Sequence, residues 1–333
     1  MKKAWVPVFA GMSGLILAAC TPAPPQLPPA LPKAPVQAGP AIAIQAAPLE
    51  FDPKDPAKKT LGAFTWAGGV ELTSNETSRL HGLSDIKVWP NGRLLVVGDE
   101  GDLLEAHLAL DYAGRLTGLK DARLTPVIGE DGQPAASHGK VDSDAEGIAE
   151  FANGDRLISL EEHDRILLYP HTGGSPRQAP MPDVKFAPNA GMEALAVYPK
   201  AGPDAYVVGI EATGETFICR LSAACLKDRT VELKDGYELS AVEVLSGGRM
   251  AYLLRAFDPL RGVRVILRIV AANGQVEDQL ELARPYTIDN FEGLAAAPSP
   301  NGGLRFYLIS DDNFSKSQRT LLVAFDWRPG SGS

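Results

Sequence analysis

Short apolar runs alternate along this chain with Gly-, Asn- and Pro-containing turns, and the residues bounding the runs recur in kind. The repeated unit is an acidic or small polar residue, an apolar strand, a turn, a second apolar strand and closing acidic residues. It runs from Ser84-Asp85-Ile86 to Gly98-Asp99-Glu100 and from Glu146-Gly147-Ile148-Ala149 to Leu160-Glu161-Glu162. It returns from Glu193-Ala194-Leu195-Ala196 to Gly209-Ile210-Glu211, more weakly from Ser240-Ala241-Val242 to Leu254-Arg255, and last from Glu292-Gly293-Leu294-Ala295 to Ser310-Asp311-Asp312. The starts lie 62, 47, 47 and 52 residues apart, and further β-rich runs such as Leu103–Asp111, Arg165–Tyr169 and Val263–Val270 follow the hairpins. Four short strands at such a period predict the blades of an all-β propeller. Long amphipathic helical patterns are missing, which argues against an α/β layer fold. The terminal run Arg319–Phe325 needs neighbours, and the strand-like segment Leu61–Thr73 has no repeat of its own. The pattern therefore predicts five blades, with the N-terminal strand closing the last one. A sixth blade stays open as an alternative, because the first interval is the longest.

The N-terminus is of a different kind. Lys2 and Lys3 precede an uncharged apolar stretch, Ala4–Leu17, followed by Leu17-Ala18-Ala19-Cys20. The stretch is shorter than the roughly 20 residues that span a bilayer and follows the pattern of a cleaved export signal. Leu-Ala-Ala-Cys resembles the lipobox of bacterial lipoproteins, which implies lipidation of Cys20 and cleavage before it. Thr21 follows where an Asp typically retains such proteins in the inner membrane, so the expected place is the outer membrane, facing the periplasm. Nine prolines among many alanines between residues 21 and 48 predict a semi-extended spacer. The expected division is a signal peptide over 1–19, a lipidated Cys and tether over 20–50 and a propeller over 51–333.

Losing Lys2 and Lys3 with the leader would take the net charge from −9 to −11. An acidic surface disfavours nucleic acid as a partner; the expectation is a monomer that meets the membrane through its anchor. Cys219 and Cys225, with five residues between them, could form a disulfide in an oxidising compartment or stay as two buried thiols. No Gly-x-Ser-x-Gly elbow is present, so an α/β-hydrolase mechanism has no support. The five histidines lack metal-ligand spacing. His81 and His163 could approach the ends of the inner strands, though a surface or structural role is expected of each.

Two antiparallel strands joined by a turn bring the start of the first and the end of the second to one edge. Glu146 should thus neighbour Glu161, Glu193 should neighbour Glu211, Glu292 should neighbour Asp311, and Asp85 should neighbour Asp99. First strands of propeller blades line the central channel, so these groups converge on one mouth. Clustered carboxylates repel unless a cation neutralises them or some stay protonated. An all-oxygen ring suits a hard cation, above all calcium. The expected ligands are Glu146, Glu193, Glu211, Glu292 and Asp311, with Arg255 assigned to an anionic group of a substrate. Strand caps sitting in water are the alternative for any one of them.

Asp144-Ala145-Glu146-Gly147-Ile148-Ala149, Asn290-Phe291-Glu292-Gly293-Leu294-Ala295, and Ser310-Asp311-Asp312-Asn313-Phe314-Ser315 with Gln318-Arg319-Thr320-Leu321-Leu322 resemble the motifs of the "esterase-like activity of phytase" family. The order is shared from residue 82 to about 327. The resemblance implies an exported β-propeller related to phytases and to calcium-dependent phosphoester or lactone hydrolases. Leu254-Arg255 departs from the family's usual Glu-Arg at the end of the fourth repeat, which removes one acidic partner. Two readings follow: a calcium-dependent phosphoester or ester hydrolase acting on a small anionic or ester substrate, and a non-catalytic periplasmic propeller that binds a ligand or protein.

Overall fold

Each of the five repeats folds into its own antiparallel sheet, and the sheets close into a five-bladed β-propeller. The computed structural model describes residues 41–330, so the leader, Cys20 and residues 21–40 of the spacer lie outside the described residues. Blade 1 is Leu83–Val88, Arg93–Gly98, Asp102–Leu110 and Leu116–Pro126. Blade 2 is Ala145–Glu150, Arg156–Leu160, Arg165–Tyr169 and Arg177–Ala179. Blade 3 is Ala194–Val197, Ala205–Gly209, Glu215–Arg220 and Ala223–Thr230. Blade 4 is Glu238–Val244, Met250–Asp258, Gly262–Val270 and Val276–Leu282. Innermost strands of successive blades touch around the ring, and blade 5 returns to blade 1.

Blade 5 takes Asn290–Pro298, Leu304–Asp311 and Leu321–Trp327 from the C-terminal end and its fourth strand, Phe64–Thr73, from the N-terminal end. Leu322 pairs with Val70 and Trp327 with Phe64, so the two ends of the domain are hydrogen-bonded within one sheet. The long first interval holds no extra blade. It is taken up by the long outer strands of blade 1 and by a short helix, Lys140–Ser143.

The spacer ends earlier than the sequence indicates. Residues 41–50 are folded onto the propeller: Gln45–Pro48 adds a strand outside Phe64–Thr73, and Ile42 is buried against blade 1. The Ile42 amide donates to the Ala122 carbonyl and the Leu49 amide to Gly69. A composition rich in Ala and Pro hid this strand, because an edge strand needs only one apolar face and tolerates Pro at its end.

The core lies between blades rather than at the axis. Ile86, Leu94 and Val96 of blade 1 pack on Tyr307, Ile309 and Leu322 of blade 5, while Leu95 and Val97 face Ile148 and Ile158 of blade 2. Cys219 and Cys225 form a disulfide that clips the two outer strands of blade 3.

The repeated Glu-Gly pairs have a steric cause. A Cβ on Gly147 would lie 2.7 Å from the Glu193 carbonyl oxygen, and one on Gly293 would lie 2.8 Å from the Asp85 Cα. Neighbouring inner strands can approach this closely only where no side chain intervenes, and that approach gathers the preceding glutamates at one mouth.

Candidate functional site at the channel mouth

Four of the five inner strands carry a β-bulge at the same place, where the ladder skips Ser84, Glu146, Ser240 and Glu292. In blade 3 the strand begins at Ala194, so Glu193 occupies the matching position just outside it. A bulge leaves its extra residue unpaired and re-aims the side chain, and bulges are common beside active sites. Asp99, Glu161, Glu211 and Asp311 follow the second strands of their blades or end them, and in blade 4 Arg255, inside the longer strand Met250–Asp258, stands opposite Glu238 at the start of the inner strand. Two sets of five, one from each strand, thus meet at the mouth.

The expected pairs form in blades 2, 3 and 5. Asp144, Glu146 and Glu161 each offer an oxygen within 4.8 Å of the other two. Glu193 lies in the field of Glu211, and Asp311 in that of Glu292. The blade 1 pair is not formed. Asp85 stands one residue past the bulge and turns away from Asp99; its fully buried carboxylate accepts the amides of Ile148 in blade 2 (3.0 Å) and Leu294 in blade 5 (3.4 Å). Beside it, Lys87 Nζ reaches Asp85 (3.1 Å) and, across the ring, Glu243 of blade 4 (3.7 Å). Blades 1 and 4 are not neighbours, so this chain of charges spans the axis.

Eight carboxyl groups meet at the mouth, from Asp99, Asp144, Glu146, Glu161, Glu193, Glu211, Glu292 and Asp311, and two cations accompany them. Lys140 sits between Asp99 (2.9 Å) and Asp144. Arg255 sits between Glu211 (3.0 Å) and Glu292 (2.9 Å) and donates to Asn290. The guanidinium assigned to a substrate is therefore held by carboxylates, and an anionic substrate group would have to displace them. Glu146, Glu161, Glu193 and Asp311 lack a basic partner at salt-bridge distance among the described residues. Burial, reinforced by neighbouring carboxylates, pushes Glu146, Glu193 and Asp311 well above the ordinary range, and Glu161 is raised as well. Burial takes Glu211 to about 7 and Asp99 to about 6 even with their basic partners present.

Of the five expected ligands only Glu146 belongs to the close oxygen trio; Glu193, Glu211, Glu292 and Asp311 surround it. Asp144 and Lys140 were not among the expected site residues. The Asp-Ala-Glu run carried a signal for Asp144, since alternate positions share a face, but nothing in the sequence pointed to Lys140. Glu193 Oε2, Asp99 Oδ1 and the hydroxyls of Ser84 and Ser240 are buried without a hydrogen-bond partner. Buried oxygens left unpaired are costly unless something binds them. The donor set, all hard oxygen with an excess of negative charge, fits a divalent cation. His163 lies elsewhere: it is exposed, 3.1 Å from Asp142, beside a cavity of about 410 Å³ that His138 and Arg165 also line. His81 stands at the rim, one residue before Gly82, where an added Cβ would collide with the Asp99 carboxylate.

A family model described as phytase-like, esterase-like activity of phytase, matches residues 78–314. No protein of curated function matches the sequence. Among solved structures, a presumed gluconolactonase is 12% identical with a TM-score of 0.45, covering 90% of this chain and 95% of that one. Virginiamycin B lyase from Staphylococcus aureus is 10% identical with a TM-score of 0.42, covering 74% and 82%. At these identities and scores neither likeness bears on chemistry.

Proposed function

The chain belongs to the phytase-like family described by its esterase-like activity, and on that footing we propose that the channel mouth is a calcium-assisted hydrolytic site for phosphoesters or carboxylic esters. The observation that carries the reading is the close trio of Asp144, Glu146 and Glu161, within a mouth whose carboxyls outnumber its cations. These three residues would hold the cation, with Glu193 and Asp99 offering their unpartnered oxygens nearby. A bound calcium would supply Lewis acidity toward a carbonyl or phosphoryl oxygen. The chain's own groups shape the rest. Lys140 and Arg255 hold Asp99, Asp144, Glu211 and Glu292 in place, and the bulges aim the glutamates inward.

Glu161→Gln should remove one cation ligand while leaving the Arg255 and Lys140 pairs intact. The melting-temperature rise on adding calcium should shrink by more than half, and turnover of 4-nitrophenyl phosphate and 4-nitrophenyl acetate should fall at least tenfold. A wild-type domain indifferent to calcium would remove the metal assignment. A domain stabilised by calcium but silent on both substrates would leave the ligand-binding propeller as the better reading.

We also propose that the protein is anchored in the cell envelope through Cys20, with residues 21–40 as the tether. What supports this is the lipobox-like run Leu17-Ala18-Ala19-Cys20 and the Pro- and Ala-rich composition that follows it. Wild type should sediment with membranes and Cys20→Ser should not; a soluble, unacylated wild type would exclude it.

A further inference from the structure

We propose that His81, oriented by Asp312, is the general base at the rim of this mouth; the inference rests on the hydrolytic reading above. His81 Nδ1 forms a short hydrogen bond with Asp312 Oδ2. The Asp312 side chain is 3% exposed and is fixed from every side. Its Oδ2 also accepts the Thr320 hydroxyl (2.8 Å), and its Oδ1 accepts the amides of Gly82 (3.2 Å) and Phe314 (3.1 Å). With its oxygens already taking a hydroxyl and two amides, this carboxylate is placed to accept Nδ1–H, and that contact directs Nε2 outward.

That nitrogen has no partner among the described residues, and the His81 side chain keeps 23% of its surface open. The ring lies against Phe314, 5.6 Å between centroids, which fixes its tilt. The other histidines differ in kind. His107, His138, His163 and His171 are each between 44% and 66% exposed and face carboxylates that are themselves in contact with solvent. Of the five, His81 alone combines a buried orienting carboxylate with a free outer nitrogen. Its place suits the role: Gly82, the next residue, abuts Asp99, and Asp311, the residue before Asp312, belongs to the mouth.

The step balances simply. Nε2 takes a proton from water as the water oxygen bonds to the ester carbon. The carbon–oxygen bond to the leaving group then breaks, and the imidazolium returns its proton to the departing alkoxide, giving acid and alcohol. Asp312 acts as a positioning residue, holding the tautomer and steadying the transient positive charge.

The test uses the full domain with calcium and 4-nitrophenyl acetate. His81→Gln should lower kcat by about 10² to 10³-fold, the range general-base catalysis commonly supplies, with KM and the calcium-induced melting shift unchanged. In His81→Gly, added imidazole should restore at least tenfold of the lost rate, which a structural histidine would not allow. Asp312→Asn should lower kcat in the same sense, with the His81 variants as the arbiters should it fold poorly. Undiminished turnover in His81→Gln overturns the base and leaves the hydrolytic reading standing. No turnover by wild type on the acetate or on 4-nitrophenyl phosphate overturns both.

Discussion

A chain from which Phe64–Thr73 has been deleted should be recovered as aggregate, without a cooperative melting transition. The strand is the fourth of blade 5, and it alone joins the outer N-terminal strand Gln45–Pro48 to the C-terminal strands of that sheet. Its Phe64, Trp66, Val70 and Leu72 are buried, and each such side chain contributes about 1.5–3 kcal/mol by leaving water. Together they approach the whole of a typical domain's stability, about 5–15 kcal/mol. The deletion also uncovers the edge of Leu321–Trp327, whose residues Leu321 to Phe325 are apolar and at most 1% exposed. An unpaired apolar edge is a template for association. Deleting residues 21–40 should by contrast leave the melting temperature within a degree or two. Size-exclusion chromatography and thermal circular dichroism decide the matter: a monomeric deletion variant melting like wild type would mean that blade 5 closes without this strand.

The second large effect is one of pH. In chelator, the domain should lose stability as pH rises from about 4.5 to about 7.5, and saturating calcium should flatten or reverse the slope. Glu211 is raised to about 7 and Asp99 to about 6, while both ionise in the unfolded chain at ordinary carboxyl values. Groups raised in this way favour the folded state fully below the unfolded pKa, and that advantage is lost as pH climbs through the folded one. Each tenfold gain in proton affinity on folding is worth about 1.4 kcal/mol, so Glu211 alone accounts for a change on the order of 3 kcal/mol. Glu150, held low despite burial by Arg93 and Arg156, acts in the opposite direction and costs stability only in stronger acid. The metal-free optimum is therefore mildly acidic. Calcium would replace protons among the carboxyls, adding about 2.7 kcal/mol at 100 times its dissociation constant. Melting curves across this range, with chelator and with calcium, test it. A flat metal-free profile would show that the mouth carboxyls titrate as if in water.

The repeats were legible because residue type and position recur together, and the structure gives the reason: the polar residue opening each unit is the bulged one, or its counterpart in blade 3. Closure of the ring was legible too, since Leu61–Thr73 and the last apolar run each lacked a partner. The pairing of Asp85 with Asp99 failed for the reason the others succeeded. Ser84 takes the bulge in blade 1, so Asp85 falls one position on and faces the axis. A bulge shifts facing by one residue and leaves no mark in composition. Lys140 reaches the mouth from a one-turn helix between blades, a placement set by tertiary packing alone. The beginning of the domain was misjudged because Ile42 is a lone apolar residue in a Pro- and Ala-rich segment.

The Asp85–Lys87–Glu243 chain across the axis has a consequence for traffic. Ion pairs that span the channel bar passage along the axis while they hold, so whatever leaves the mouth goes out by the way the next molecule comes in. Product still in the mouth excludes fresh substrate, so inhibition by product should be competitive. Long polymers cannot be threaded through the ring, and a chain-like substrate can present only an end or a protruding side group to the carboxyls at the rim.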